Sequence, residues 1–392
     1  MKRIIKQASL VILAIAMFCQ CQPKQEGSHA KIVKVNGNKV IDCNVSEITD
    51  TIDLPLSKIV KNCSVIPLET NAESLFKRVY HLSVSKSYIA VHSRGQMPIK
   101  LFSRQGKFIR DIGKIGRGPG EFTSLYDIQL DEEANRIYLS PFARANKLIV
   151  YSLDSENLPD IPLVYQQTKF KANVQDDVVT ILSMPFKMKE GKCIPVAYQQ
   201  TTKGKLIKEV ETPEHLEINP RNSKGQFIGF NNEISSTHNA DAFDSYTMTW
   251  GKAGYDTLYH YNTSKNQMIP KFVATFSEKK QGSWAYEWKS HYWAFVFGEK
   301  YRGSKILVDK KTLKSDFFHL KNDFYGGIEM NSIYVSNNQM FICPMTAMNF
   351  KEQCKEVLKD KDLDSAIREK LERINKSLKE DDNDVLFIGE MI

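Results

Sequence analysis

The sequence predicts an all-β fold: a six-bladed β-propeller with a C-terminal helical insertion before the ring-closing strand. Three observations carry the prediction. Apolar runs of four to seven residues recur between turn residues from about residue 60 to 345. They group into six successive meanders of about 55 residues, slightly longer than the roughly 40–50-residue repeats of propellers. A Gly- and Pro-free stretch rich in Lys, Glu and Leu, residues 351–379, interrupts the pattern before a last apolar run, residues 385–388.

The chain begins with a basic segment (Lys2, Arg3, Lys6) and an uncharged apolar run from Leu10 to Phe18. That run is short of the ~20 residues a spanning helix needs and suits an export signal. Cys19 and Cys21 follow, then a polar stretch from Gln22 to Ser28. An apolar run ending on cysteine resembles a bacterial lipoprotein signal, in which the cysteine is lipidated and becomes the mature N-terminus. This reading assigns residues 1–20 to the signal, 21–30 to a tether and 31–392 to the propeller, with the helical insertion at about 351–380. Lipid attachment falls on Cys21, because Phe18 and Cys19 then fill the apolar and small positions before it; Cys19 is the alternative. A plain secretory signal with incidental cysteines is the competing reading. Residues 22–26 (Gln-Pro-Lys-Gln-Glu) lack the acidic run of surface-export signals. The expected address is therefore the outer membrane, lipid-anchored and periplasm-facing, with the cell surface as the alternative.

Composition is globular, 42% hydrophobic and 26% charged, which excludes a multi-span membrane protein and a disordered chain. The formal charge of +8 includes three bases in the signal, and residues 1–21 hold no acid, so the remainder carries +5. Acids and bases alternate along it without a basic stripe, so no nucleic-acid partner is expected. Cys43, Cys63, Cys193, Cys343 and Cys354 form no CxxC pair. Most are expected as small buried apolar residues, and one or two disulfides are compatible with an oxidising compartment.

The first meander places strands at 79–84, 88–92, 99–102 and 107–112, separated by the turns 85–87, 94–96 and 104–106. The second places them at 125–130, 136–140, 147–152 and 161–165, and the third at 178–184, 192–198 and 206–210. The fourth reads 246–250, 257–261 and 271–276, and the fifth 292–297, 305–308 and 317–320. The sixth begins with 332–335 and 339–343. In the insertion, Leu363, Ile367, Leu371, Ile374 and Leu378 recur at helical spacing and mark one apolar face. The simplest place for that face is against the propeller; a partner-binding helix is the alternative. The final run, 385–388, is expected to pair with an early segment near 65–68 and close the ring, which removes exposed sheet edges.

Residues 101–122 contain a turn glycine, Gly106, a strand, and then Gly113, Gly116, Gly118, Pro119, Gly120, Glu121 and Phe122. This pattern resembles the blade-ending signature of NHL-type propellers. More closely, it resembles the six-bladed β-propeller lipoproteins of Bacteroides-type bacteria. Residues 65–70 (Val-Ile-Pro-Leu-Glu-Thr), 255–259 (Tyr-Asp-Thr-Leu-Tyr), Asn322-Asp323 before Gly326-Gly327, and Asn383-Asp384-Val385-Leu386 agree with that family. Where the family usually has Asn-Pro in the last motif, this chain has Asn383-Asp384. The resemblance implies fold and address; the family has no established reaction and lends no catalytic residues.

The glycines are not a phosphate loop, since a strand rather than a helix follows them. They supply positive φ in a tight crossing between blades, which Pro119 stiffens. Arg117 and Glu121 are candidates for a structural salt bridge or a ligand contact at a propeller face. No HxH, HExxH or HxxxH spacing and no GxSxG elbow occurs. No metal, cofactor or catalytic residue is assigned, although propeller ligands can converge from separate blades. His81, His92 and His260, on or near expected inner strands, are the first to check. Asp131-Glu132-Glu133 and the acidic run at 381–384 lack the EF-hand pattern and read as solvated turns.

The densest aromatic stretch is 284–297. Trp293, Phe295 and Phe297 alternate as on a strand. Trp284, Tyr286 and Trp288 precede it and are expected in a face loop, as a binding patch for a sugar ring or a protein. Two functional readings follow. The first is a lipoprotein that binds or scaffolds a glycan, peptide or protein partner. The alternative is a channel-centred enzyme, such as a metal-assisted lyase, lactonase or hydrolase.

Overall fold

Strands make up nearly all the regular structure and form six sheets arranged radially. The computed structural model describes residues 27–93, 95–187, 193–226, 234–239, 242–250, 257–278, 281–301, 303–335 and 340–392. The segment read as a signal, residues 1–20, and both lipidation candidates, Cys19 and Cys21, lie outside the described residues.

The N-terminal segment runs around the rim before the first blade. A hairpin of β1 (Ala30–Val35) and β2 (Asn38–Asn44) is followed by β3 (Thr51–Pro55) and β4 (Val60–Pro67). Blade 1 then comprises β5 (Val79–Val84), β6 (Tyr88–Ser93), β7 (Ile99–Ser103) and β8 (Phe108–Ile112). Blade 2 comprises β9 (Leu125–Asp131), β10 (Arg136–Pro141), β11 (Ala145–Ser152) and β12 (Asn157–Gln167). Blade 3 comprises β13 (Phe170–Gln175), β14 (Val178–Ser183), β15 (Ala197–Thr201) and β16 (Leu206–Val210). Blade 4 comprises β17 (Ile234–Asn239), β18 (Ala242–Trp250), β19 (Thr257–Asn262) and β20 (Gln267–Thr275). Blade 5 comprises β21 (Gly282–Glu287), β22 (His291–Phe297), β23 (Ser304–Asp309) and β24 (Ser315–Asn322), extended by β25 (Ile328–Met330). Blade 6 joins β26 (Tyr334–Val335), β27 (Met340–Met345) and β28 (Val385–Met391) to β4. The first strands of blades 1 to 5 pack side by side around the axis.

The ring closes as the sequence predicts: β28 pairs antiparallel with β4, with Leu386 opposite Ile66 and Phe387 opposite Val65. On the way there, β2 adds in parallel to β20 and β3 to β24, covering the outer edges of blades 4 and 5. The sequence reading missed these rim strands. It also missed the inner strands β13, β17 and β21. Their sequences, FKANVQ, ISSTHN and GSWAYE, mix polar residues into every run, so no apolar run marks them. Packing around the axis, rather than local patterning, makes them strands.

The predicted helical region is two helices, α1 (Ala347–Val357) and α2 (Ser365–Ser377). The Thr346 side chain caps the first by accepting from the Asn349 N–H; Asp364 caps the second by accepting from Ala366 and Ile367. Phe350, Cys354 and Leu371 are fully buried, and Leu363, Ile367 and Ile374 pack on the same cluster beside Phe318, Tyr325 and Phe387. The apolar stripe therefore packs on the propeller. Gly326, at φ 68°, lies directly beneath the pair: a Cβ there would overlap Val357 and come within 2.9 Å of the Leu363 side chain.

All five described cysteines are free and four of them are buried, as the reading of most of them as small buried residues expects. Cys43, Cys63, Cys343 and Cys354 are buried, and burial pushes their thiols up to about 11 or 12.

Candidate functional site

The chain passes from the outer strand of one blade to the inner strand of the next at the same end of the ring throughout. This crossover end gathers residues from several blades. Tyr80 and His81 sit near the start of β5, and His92 lies opposite His81 on β6. The two imidazoles stack with centroids 5.5 Å apart and planes within 6°, and the Tyr80 ring meets His81 edge-on at 4.3 Å. His92 is 4% exposed, and burial pushes its pKa down to about 4, so it is neutral at neutral pH.

Blade 2 contributes Tyr126, whose ring centroid is 6.5 Å from that of His81. The Tyr126 hydroxyl accepts from the Ile234 N–H at 2.8 Å, tying blade 2 to the start of β17. Blade 3 brings Lys169 and Lys171, whose ammonium groups lie 5.8 and 5.7 Å from the Tyr126 centroid. Lys171 also pairs with Asp127 at 2.9 Å. An unbroken chain of aromatic, imidazole and ammonium groups thus crosses blades 1, 2 and 3. Beside it, the seam between blades 6 and 1 opens into a cleft of about 310 Å³, with Tyr80 on its wall.

His260 belongs elsewhere. It lies on β19, the third strand of blade 4, and pairs with Glu287 at 2.5 Å; Lys310 holds the other Glu287 oxygen at 2.6 Å. Burial pushes the Glu287 carboxyl up, but His260 and Lys310 outweigh it and hold the carboxyl below the usual range. This is a buried clamp between blades 4 and 5 at the opposite end of the ring.

The aromatic residues singled out from sequence are separated. Trp284 and Tyr286 are not in a face loop: they lie on β21, half-buried, with Tyr286 stacked on Trp293 at 4.2 Å. Trp288 follows the strand, is 2% exposed and packs against Trp293 and Phe318 in the core. A three-residue exposed platform in a face loop is therefore corrected, because pairing of β21 with β22 places Trp284 and Tyr286 on a strand and Trp288 packs into the core.

Arg117 and Glu121 do share the loop that feeds β9, but no ion pair joins them among the described residues. Glu121 turns back into its own loop and accepts from the Gly118 N–H at 2.8 Å, filling the space a Cβ on Gly116 would need. Arg117 is exposed at the crossover end. Glu132 likewise accepts from the Ser87 N–H and joins two turns. Sequence reasoning missed Tyr80, Tyr126, Lys169 and Lys171; only their convergence in space marks them. Among the described residues, no group of three or more His, Cys, Asp or Glu is arranged to hold a metal ion.

A family model described as a domain of unknown function (DUF4934) matches residues 38–390. No curated protein matches the chain. A solved Bacteroides fragilis structure, described as a "Putative exported protein", is 16% identical, with a TM-score of 0.61 over 88% of this chain and 98% of that one. A member of the DUF4221 family from Bacteroides vulgatus is 10% identical, with a TM-score of 0.47 over 93% of this chain and 98% of that one. The first of these likenesses supports the propeller fold.

Proposed function

The chain belongs to the DUF4934 family, and we propose that it is an exported, lipid-anchored propeller that binds a glycan, peptide or protein partner at the crossover end of its ring. The observation that carries the binding reading is the position of Tyr80. It is at once part of the aromatic–imidazole cluster of blades 1 to 3 and a wall of the cleft between blades 6 and 1. Converging aromatic and polar groups beside a concavity are the usual make-up of a ligand site. The exposed Arg117 lies at the same end. Immobilised protein should retain a ligand that His81→Ala and Tyr126→Phe together release. Retention unchanged in that double variant would move the site elsewhere, with Trp284 and Tyr286 next to test.

The anchor reading rests on the apolar run ending at Cys19 and Cys21 and on the likeness to a protein described as exported. No described helix is long and apolar enough to cross a membrane. Metabolic palmitate labelling should disappear in Cys21→Ser and persist in Cys19→Ser. Protease treatment of intact cells should spare the protein if it faces the periplasm and degrade it if it lies on the surface.

The enzyme reading has one observation in its favour: two imidazoles, His81 and His92, stack beside Tyr80 at the crossover end. Turnover of any screened lactone or glycoside that His92→Gln leaves intact would remove that support.

A further inference from the structure

The cleft at the ring seam is built by the chain's two ends. Arg78 precedes β5, Asn331 and Ser332 precede β26, Thr346 and Asn349 begin α1, and Asp384 precedes β28. Most of these lining side chains already hold part of the scaffold and keep further hydrogen-bonding capacity. The Asp384 carboxylate accepts from the Val79 N–H at 2.9 Å through one oxygen. The Thr346 hydroxyl accepts from the Asn349 N–H, the Asn331 carbonyl accepts from Lys305, and the Asn349 carbonyl accepts from Gln353. The Arg78 guanidinium, both Asn amide NH₂ groups and the two hydroxyl protons make no hydrogen bond to a described residue. One cation and one carboxylate balance, so the wall is dense in donors and acceptors but near neutral in charge. Val79, Tyr80, Pro344 and Met345 complete the lining, with Val79 and Met345 largely buried.

Resting on the binding reading above, the geometry points to a short saccharide as the ligand of this cleft. A sugar hydroxyl donates and accepts at once, so it matches walls that mix carboxylate, amide, guanidinium and hydroxyl groups. Its C–H faces match the aromatic and apolar patches. A nucleic acid would require net positive charge, and a bound strand would require a free sheet edge. A volume of about 310 Å³ sits at the lower end for small-molecule sites and holds a short ligand rather than a folded partner.

The test uses full-length protein in mild detergent. Saturation-transfer NMR is run against methyl glycosides of hexoses, N-acetylhexosamines and hexuronic acids, and against a matched set of tripeptides. At least one glycoside should bind. Arg78→Ala and Asn349→Ala should each weaken it about tenfold, the loss of roughly one charge-assisted or multiple hydrogen bond, with melting temperatures unchanged. Asp384→Asn, which keeps an acceptor for Val79, should weaken it similarly, and Lys34→Ala on the rim should not. A glycoside bound equally by wild type, Arg78→Ala and Asn349→Ala overturns the cleft and leaves the binding reading standing. Binding of tripeptides alone overturns the sugar assignment. Binding from neither set overturns both.

Discussion

Burial keeps His92 neutral, and that has a consequence for stability. In the unfolded chain this imidazole takes up a proton near pH 6.5; in the fold it does so only near 4. Between those values the unfolded state binds more protons, so stability falls as pH falls. The loss is at most roughly 3 kcal/mol by pH 4. His92→Gln should flatten the stability–pH slope in that window in urea titrations; an unchanged slope would refute the assignment. Glu287 adds a second acid-sensitive contribution. Its carboxyl is held low by His260 and Lys310, so its stabilisation is present above about 4.5 and is lost as pH falls through its lowered folded value. The cysteines act in the opposite sense, as inert core residues. Brief iodoacetamide labelling of native protein, read by peptide mapping, should modify the half-buried Cys193 before Cys43, Cys63, Cys343 or Cys354. Early labelling of Cys343 would contradict its burial.

At the scale of elements, the helical insertion is docked rather than free, and Gly326 is what admits it. Gly326→Ala forces a Cβ into Val357 at a positive φ, and should cost about 1–3 kcal/mol. The helix pair should loosen first, seen as faster amide exchange across α1 and α2 than in the blades. Equal exchange everywhere would show that the pair does not depend on that close approach. The glycine-rich crossing is also structural. Its glycines make room for the Glu121 carboxylate and hold the loop, through Gly116–Phe122 and Phe122–Lys114 backbone bonds, against the start of β9. These two elements were legible in sequence because each carries a local signature, glycine and proline in one and a helical apolar stripe in the other. The inner strands β13 and β21 were not legible, because the ring supplies the neighbours that their own residues do not specify.

For the whole molecule, the decisive joint is the seam. Asn383 accepts from the Phe76 N–H at 2.9 Å and donates to the Glu69 and Ser74 carbonyls at 2.7 and 3.1 Å, while its own N–H donates to the Thr70 hydroxyl. The two family-like motifs, residues 65–70 and 383–386, thus meet each other across more than 300 positions of chain. Asn383→Ala strands several buried polar groups and should cost roughly 2–5 kcal/mol. Removing residues 385–392 deletes β28 and separates β27 from β4; the product should lose cooperative melting altogether. A truncated chain that still melts in one sharp transition would show that closure is dispensable.

By itself the sequence determined the repeat, the blade count, the closing strand and the apolar face of the insertion. Each is written in local periodicity that burial enforces, as Leu371 and Phe387 show. Only the tertiary structure decided where chemistry can gather. Trp284, Tyr286 and Trp288 are neighbours in sequence, but strand pairing divides them between the blade surface and the core. Tyr80, Tyr126 and Lys171 are distant in sequence and meet at one end of the ring. A propeller sets its sites by the radial placement of separate blades, and no spacing along the chain encodes that distance.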